Sequence, residues 1–299
     1  MEKLKISIVI PVWNGRELLE KNFPKVLGAQ KNMGNRIEEI VVVDDKSTDD
    51  SLTYLEQFSS EIKIIRHKEN RGFSAAVNTG VRTAKGELVC LLNQDVSPEE
   101  DFLESVVGLF ANDKVFGVSL HEEGYGFAVG KFENGFIVHE PRKSDKTSET
   151  FWVNGGSGVF RRKIWMDLKG MDEELLSPFY WEDIDLCYRA LKRGYKLLWE
   201  PKAKIIHKHE STINVEHFKR RSLSLIQERN QLLFIWKNLT SPILFRKHLR
   251  GLMRRIVSHP GYFVVFIAAF KKIRIVLKLR RKEKRETRVS DEAIFARFK

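Results

Sequence analysis

The stretch Gly86–Asp101, "GELVCLLNQDVSPEED", runs from Leu88 to Leu92 without polar alternation and then breaks into Asn93-Gln94-Asp95. Such an apolar run suits a strand buried on both faces of a parallel sheet. Strands of that kind deliver their carboxyl ends to the crevice where ligands bind in open α/β sheets. Residues i and i+2 of a strand share a side, so Asn93 and Asp95 can face one ligand. The plainer alternative makes Asp95 the start of a turn before a helix opening at Pro98.

Upstream, the same alternation recurs. "KISIVIPV", "IEEIVVVDD" and "IKIIRH" read as strands. "GRELLEKNFPKVLGAQ" reads as a helix interrupted at Pro24, "TDDSLTYLEQF" as a helix capped by Thr48, and "GFSAAVNTGVRTAKG" as a helix ending at Gly86. "PEEDFLESVVGLFAND" begins with proline and acidic residues, as a helix first turn should. Four β–α units in about 110 residues predict a parallel, helix-covered sheet. Between Val115 and Phe160 the chain is richer in glycine and aromatics and reads as mixed strands and loops. "FYWEDIDLCYRALKRGYK" puts Ile184, Cys187, Tyr188 and Leu191 on one helical face, with Gly194 as its stop.

Composition sets the class. The 299 residues are 42% hydrophobic and 31% charged, which is globular rather than disordered. Cys90 and Cys187 lack metal-type spacing and read as buried thiols in a reducing compartment. The N-terminal apolar run is short and lacks a small-residue cleavage site, so it reads as a first strand and the cytoplasm is the expected location. The net charge of +12 is uneven: residues 216–299 hold 22 Lys and Arg against 6 Asp and Glu, a net of +16, while residues 1–215 hold 30 against 34. That asymmetry divides the chain into a catalytic region, 1–215, and a basic helical region, 216–299.

Three strand ends are unusually polar: Pro11-Val12-Trp13-Asn14, Asp44-Asp45-Lys46-Ser47-Thr48-Asp49 and Asn93-Gln94-Asp95. Carboxylates gathered on one sheet edge repel, and a divalent cation offsets that repulsion with hard oxygen ligands. Trp13 and Asp45 can hold a nucleobase by stacking and hydrogen bonding, and Arg71 can meet a phosphate. No G-x-x-x-x-G-K-[ST] exists and no G-x-G-x-x-G follows the first strand, which excludes a P-loop and counts against a dinucleotide fold.

Taken in order, "SIVIPVWNG", "IVVVDDKSTDDS", "NRGFSAAVNTGVRTAKGELVCLLNQDV", "WVNGGSGVFRRKIW", "YWEDIDLCYRALKRGYKLLWEPKAKIIHKHEST" and "ERNQLLFIWKNL" resemble glycosyltransferase family 2, from about Lys5 to about residue 240. The resemblance implies a GT-A fold, a Rossmann-like, mostly parallel sheet flanked by helices, and an inverting, non-processive enzyme using a nucleotide-diphosphate sugar with Mn2+ or Mg2+. Asn93-Gln94-Asp95 occupies the family's D-x-D position, so Asp95 would ligate the metal bridging the diphosphate. Asn93 in place of the usual first Asp is seen among rhamnosyltransferase-like members, which makes dTDP-rhamnose a candidate donor beside UDP-sugars. By the same resemblance Pro11, Asp44 and Asp45 match nucleobase-contacting positions, Trp13, Asn14, Arg71 and Asn93 join the donor site, and Glu182-Asp183 matches the acidic pair whose Asp is the general base. An inverting transfer needs one carboxylate to take a proton from the acceptor hydroxyl, although Asp183 also suits a helix N-cap. Asp185 is expected at the surface or in a hydrogen bond. The family often supplies a metal-binding histidine at "HKH"; His207 fits the register best, with His209 its rival. Gly155 and Gly156 of "NGGSG" can let backbone approach the sugar, or form an ordinary turn.

In the basic region "GYFVVFIAAF" is too short to span a bilayer. It continues into "KKIRIVLKLRRKEKR", where Ile273, Val276, Leu277 and Arg280 mark an amphipathic cationic helix. Apolar and aromatic residues mixed with Lys and Arg fit an anionic membrane surface, and the apolar content disfavours nucleic acid. The expected protein is a cytoplasmic transferase, peripheral to the inner face of the cell membrane, acting on a lipid-linked or cell-surface glycan. A nucleotidyltransferase and a catalytically silent sugar-nucleotide-binding module are the alternatives. A polysaccharide synthase is disfavoured, because Gln227-Glu228-Arg229-Asn230 does not match Q-x-x-R-W.

Overall fold

The computed structural model describes residues 4–207 and 220–298. Strand β1 (Ile6–Val12) and strand β2 (Ile37–Asp44) lie side by side and parallel, and every residue of β1 is buried. With β3 (Lys63–Arg66) and β4 (Leu88–Leu92) they form a parallel block in the order β3-β2-β1-β4. The block follows from sequence pattern: each strand has a short apolar centre, and helices α1 (Arg16–Lys31), α2 (Ser51–Glu56) and α3 (Phe73–Thr83) return the chain for the next one. Strand direction then becomes mixed. After β5 (Val96–Pro98) and the short α4 (Glu104–Val107) come β6 (Val115–Glu122), a hairpin of β7 (Phe127–Glu133) and β8 (Phe136–Arg142), then β9 (Ser148–Glu149) and β10 (Ser157–Arg161). Helices α5 (Arg162–Asp167) and α6 (Glu182–Lys192) precede the long β11 (Lys196–His207). The main sheet continues β4-β10-β6-β11-β5, with β10 antiparallel to both its neighbours and β11 parallel to β6.

Three local expectations change. Helix α1 runs through Pro24, which is exposed while its neighbours Phe23 and Val26 are buried. The missing hydrogen bond therefore faces water, and burial of the flanking side chains outweighs it. Thr48 lies ahead of the α2 N-terminus, where Asp50 occupies the cap position without a side-chain cap bond. Pro98 ends β5 instead of opening a helix, and only α4 and a 3-10 turn at Gly108–Ala111 follow.

Helix α7 (Arg220–Asn238) packs its Leu232–Ile235 run into the same apolar core as Val77 of α3 and Tyr188 of α6. Helices α8 (Pro242–Ser258), α9 (Tyr262–Phe270), α10 (Ile273–Glu286) and α11 (Asp291–Ala296) complete the C-terminal region. Cys90 and Cys187 are buried free thiols. Among the described residues no helix is long and apolar enough to cross a membrane.

Candidate active site

The carboxyl ends of β1, β2 and β4 open onto one cavity of about 210 Å³, walled by Pro11, Trp13, Asp45, Gly72, Phe73, Asn93, Asp95 and Phe179. Parallel packing accounts for this: strands that run together end together. Gln94, the middle residue of the β4 end, ties two strand ends into one wall. Its Oε1 accepts from Trp13 N at 3.2 Å, its Nε2 donates to Trp13 O at 3.3 Å, and its own carbonyl accepts from Asn22 Nδ2 at 3.1 Å. Gly15 makes room for it, since a Cβ there would lie 2.3 Å from the Gln94 side chain.

Asp45 shapes the opposite wall. Its Oδ1 accepts from Arg71 N at 2.9 Å and lies 2.7 Å from His67 Nδ1, while Oδ2 accepts from Gly72 N at 2.7 Å. A carboxylate has about four acceptor positions, and these three contacts leave one of them open. Asp44 does not line the cavity: it is fully buried, accepts from Ser47 N at 3.0 Å and lies 3.4 Å from Arg66 Nε. Asn14, in a left-handed conformation with φ 47°, braces the neighbouring loop by accepting from Thr48 N at 2.8 Å. The Arg71 guanidinium pairs with Glu173 at 3.0 Å, so Asn70 and Gly72 border the cavity there and not Arg71.

Asp95 and His207 meet although 112 residues separate them, because β11 runs antiparallel to β5 with His207 opposite Val96. His207 Nε2 lies 3.3 Å from Asp95 Oδ1 and Nδ1 lies 3.4 Å from Glu122 Oε2. Burial disfavours the imidazolium, but the two carboxylates outweigh it and raise the histidine to about 9. Asp95 Oδ2 and Asn93 Oδ1 are buried oxygens without a hydrogen-bond partner among the described residues. His209 lies outside those residues. No cluster of three or more His, Cys, Asp or Glu side chains among them is arranged to hold a metal. The donor set nevertheless fits a cation that takes one or two protein ligands and completes its shell with phosphate oxygens and water.

The acidic pair opens α6. Tyr180 and Trp181 precede it with φ of 75° and 76°, two consecutive left-handed residues that are not glycine. Such strain persists only where surroundings impose it. Asn230 of α7 does so, donating from Nδ2 to the carbonyls of Leu176, Phe179 and Tyr180 at 2.6, 2.9 and 3.0 Å. Asp183, half-buried, accepts from Gly155 N at 3.1 Å and from Ile184 N at 2.7 Å. Burial raises its carboxyl to about 6 against the opposing pull of those backbone donors. Glu182 is buried, and burial together with the Asp183 charge pushes its carboxyl well above the usual carboxylate range. Asp185 is buried and hydrogen-bonded, not at the surface: it joins Arg189, Lys237 and Asn238.

Two adjacent glycines link the acidic pair to the cavity. Gly155 N reaches Asp183, and Gly156 O accepts from Asn93 N at 2.8 Å. A Cβ on Gly156 would stand 2.3 Å from Asn93 Nδ2, so the close approach requires glycine.

The sequence matches the profile of "Glycosyl transferase family 2" over residues 7–168, more than half the chain. The chain belongs to that family. Its α/β fold is GT-A: GalNAc-T7, solved with UDP, GalNAc and Mn2+, superposes with a TM-score of 0.64 at 16% identity, over 87% of this chain and 57% of that one. The pre-mycofactocin glycosyltransferase of Mycobacterium tuberculosis is 28% identical over 228 residues, covering 70% of this chain and 43% of that protein. The chain thus matches less than half the length of that relative. The O-antigen chain rhamnosyltransferase RfbN of Salmonella typhimurium is 23% identical over 233 residues, 73% of this chain and 70% of that one.

Proposed function

We propose that this family 2 protein is an inverting, non-processive glycosyltransferase that moves a sugar from a nucleotide-diphosphate donor to a lipid-linked or cell-surface glycan. The observation that carries the reading is the Gly155-Gly156 turn, which joins a carboxylate raised to about 6 to the rim of the cavity at the ends of β1, β2 and β4. Trp13 and Pro11 bound the base, Asp45 offers it a hydrogen-bond acceptor, and Asn93 lies toward the sugar. Asp183 takes the proton of the acceptor hydroxyl as its oxygen bonds to the anomeric carbon and the nucleoside diphosphate departs. Asp95 and His207 would hold Mn2+ or Mg2+, which supplies positive charge for the diphosphate. The likeness to a rhamnosyltransferase and the Asn at position 93 support dTDP-rhamnose as a donor to test beside UDP-sugars.

Melting curves with UDP, GDP and dTDP, each with Mn2+ or Mg2+, test the donor reading, since a ligand of the native state raises its melting point. Stabilisation by one nucleotide, dependent on metal, is expected; indifference to all three would reject a sugar-nucleotide enzyme. In Asp95→Ala the metal-dependent part of that stabilisation should disappear, with nucleotide affinity down by about tenfold or more. Undiminished metal dependence would remove Asp95 from that role.

The pH profile gives a second check. Asp183 acts only when deprotonated, so kcat/KM should rise with pH through about 6 and level off above it. The limb belongs to the Glu182–Asp183 pair, not to one group. A rate already flat at pH 5 would contradict the raised base.

The membrane-peripheral part of this reading draws its support from the 216–299 region. Most of the exposed large apolar side chains among the described residues lie on α8, α9 and α10, including Met253 at 60%, Val257 at 74%, Phe263 at 52% and Val264 at 57% exposure. Arg250, Arg254, Arg274 and Lys278 are exposed on α8 and α10. Each interfacial cation contributes on the order of 1 kcal/mol near anionic lipid. The full chain should float with phosphatidylglycerol vesicles and not with phosphatidylcholine, less so at high salt. The combined Val257→Ser and Phe263→Ser variant should float less. Equal flotation of the variant, or binding of DNA instead of vesicles, would reject this docking face.

A further inference from the structure

A second cavity, of about 270 Å³, lies under the β7–β8 hairpin and outside the nucleotide cavity. We infer that it binds a pyranose ring of the acceptor glycan, with Trp152 as its stacking platform; this rests on the transferase reading above.

Position argues first. The cavity shares no lining residue with the nucleotide cavity, yet touches both halves of the chemistry. Asn154 lines it, next to the Gly155 whose N–H binds Asp183. Glu122 also lines it, and its carboxylate lies 3.4 Å from His207, the partner of Asp95. A molecule seated there touches Asn154, the neighbour of the Asp183-binding Gly155, and Glu122, the neighbour of His207, which suits an acceptor in the proposed reaction.

Chemistry selects a sugar. Trp152 is half-buried, Trp199 backs the pocket, and Tyr125 at 54% exposure and His139 stand at its rim, with the His139 and Trp152 rings 5.5 Å apart. A pyranose ring presents C–H bonds on a face and hydroxyls around its edge. It therefore matches aromatic faces bordered by Glu122, Asn154 and His139. A lipid tail would cover the same rings but leave those polar groups against hydrocarbon, which is costly. Trp152 Nε1 is buried and finds no acceptor among the described residues, an unmet donor of the kind that marks functional sites. The hairpin fixes the wall: Ala128 N donates to Thr150 Oγ1 at 2.9 Å, and Phe151 N donates to Ala128 O at 2.8 Å, which places Trp152 beside β7.

The test is saturation-transfer NMR on the full chain with methyl glycopyranosides of glucose, galactose, mannose, rhamnose and N-acetylglucosamine. At least one glycoside should receive transfer at its ring C–H protons. That transfer should fall at least fivefold in Trp152→Ala and in Tyr125→Ala, and persist in Trp152→Phe. Tyr125 is a rim residue, so its variant keeps the test valid if loss of Trp152 disturbs folding. No transfer to any glycoside, or transfer undiminished in both alanine variants, would overturn the inference. Nucleotide melting shifts on the same samples separate the two readings. If a nucleotide still stabilises the wild type while no glycoside binds there, the acceptor site falls and the transferase reading stands. If no nucleotide stabilises the wild type, both fall.

Discussion

Replacing Asp183 with Asn is expected to lower turnover by about 10²-fold or more while nucleotide binding survives. Asparagine keeps the shape of the side chain but cannot accept a proton at neutral pH. The loss should appear in kcat and in kcat/KM alike, because a base acts in the transition state and not in ground-state binding. Asp183 also accepts two backbone N–H groups, from Gly155 and Ile184, and an amide oxygen replaces only one carboxylate oxygen. A modest drop in melting point is therefore expected and must be measured beside the rate. Turnover within a few-fold of wild type would assign the proton to another group. Glu182 is the adjacent alternative, but burial and the Asp183 charge push its carboxyl well above the usual carboxylate range. Glu182→Gln should accordingly keep far more activity than Asp183→Asn.

The strand–helix alternation is open to inspection in the sequence because β4 is an unbroken apolar run and β1 and the second half of β2 are nearly so, the pattern that burial on both faces demands. The strand ends were equally open, since a carboxylate or amide that follows five apolar residues has few structural reasons to be there. What the sequence hid depends on distant partners. Gln94 looks like a spacer between Asn93 and Asp95, but its amide brackets the backbone of Trp13, 81 residues away. His67 looks like the end of an edge strand, yet it lies against Asp45 and Thr79. Asn230 holds the strained turn before the acidic pair from across 50 residues. The pairing of the Arg71 guanidinium with Glu173, 102 residues on, is equally invisible to local pattern. Local pattern reports which face is buried; it does not report which polar side chain a distant loop will meet.

Asp291→Ala should destabilise the protein by about 3–5 kcal/mol, the usual consequence of breaking a buried ion pair by removing one partner. Asp291 is fully buried and accepts from Tyr188 Oη at 2.7 Å, Lys192 Nζ at 2.9 Å, Thr240 N at 2.8 Å and Ser241 N at 2.6 Å. Truncation leaves an ammonium and several N–H and O–H donors in a dry interior. Lys192 is also fully buried, and its remaining acceptors, Asn238 O at 2.7 Å and Thr240 Oγ1 at 2.5 Å, are neutral. Burial lowers the Lys192 pKa, and Asp291 is the leading influence opposing that shift. Without the carboxylate the folded-state pKa drops further below the unfolded value, so the unfolded chain binds more protons and stability increases with pH through that window. The deficit of Asp291→Ala should therefore be largest near neutral pH and shrink as pH rises toward the ordinary lysine range. Urea unfolding at pH 7 and at pH 9.5 measures both effects. A deficit below about 1 kcal/mol, or one that grows with pH, would mean that Lys192 is not held charged by Asp291. The same carboxylate binds α11 to Tyr188 and Lys192 of α6, the helix whose first turn carries Asp183. Loosening it should also lower transfer activity at temperatures where the variant remains folded, because Asp183, the proposed base, sits in the first turn of the helix that Asp291 anchors.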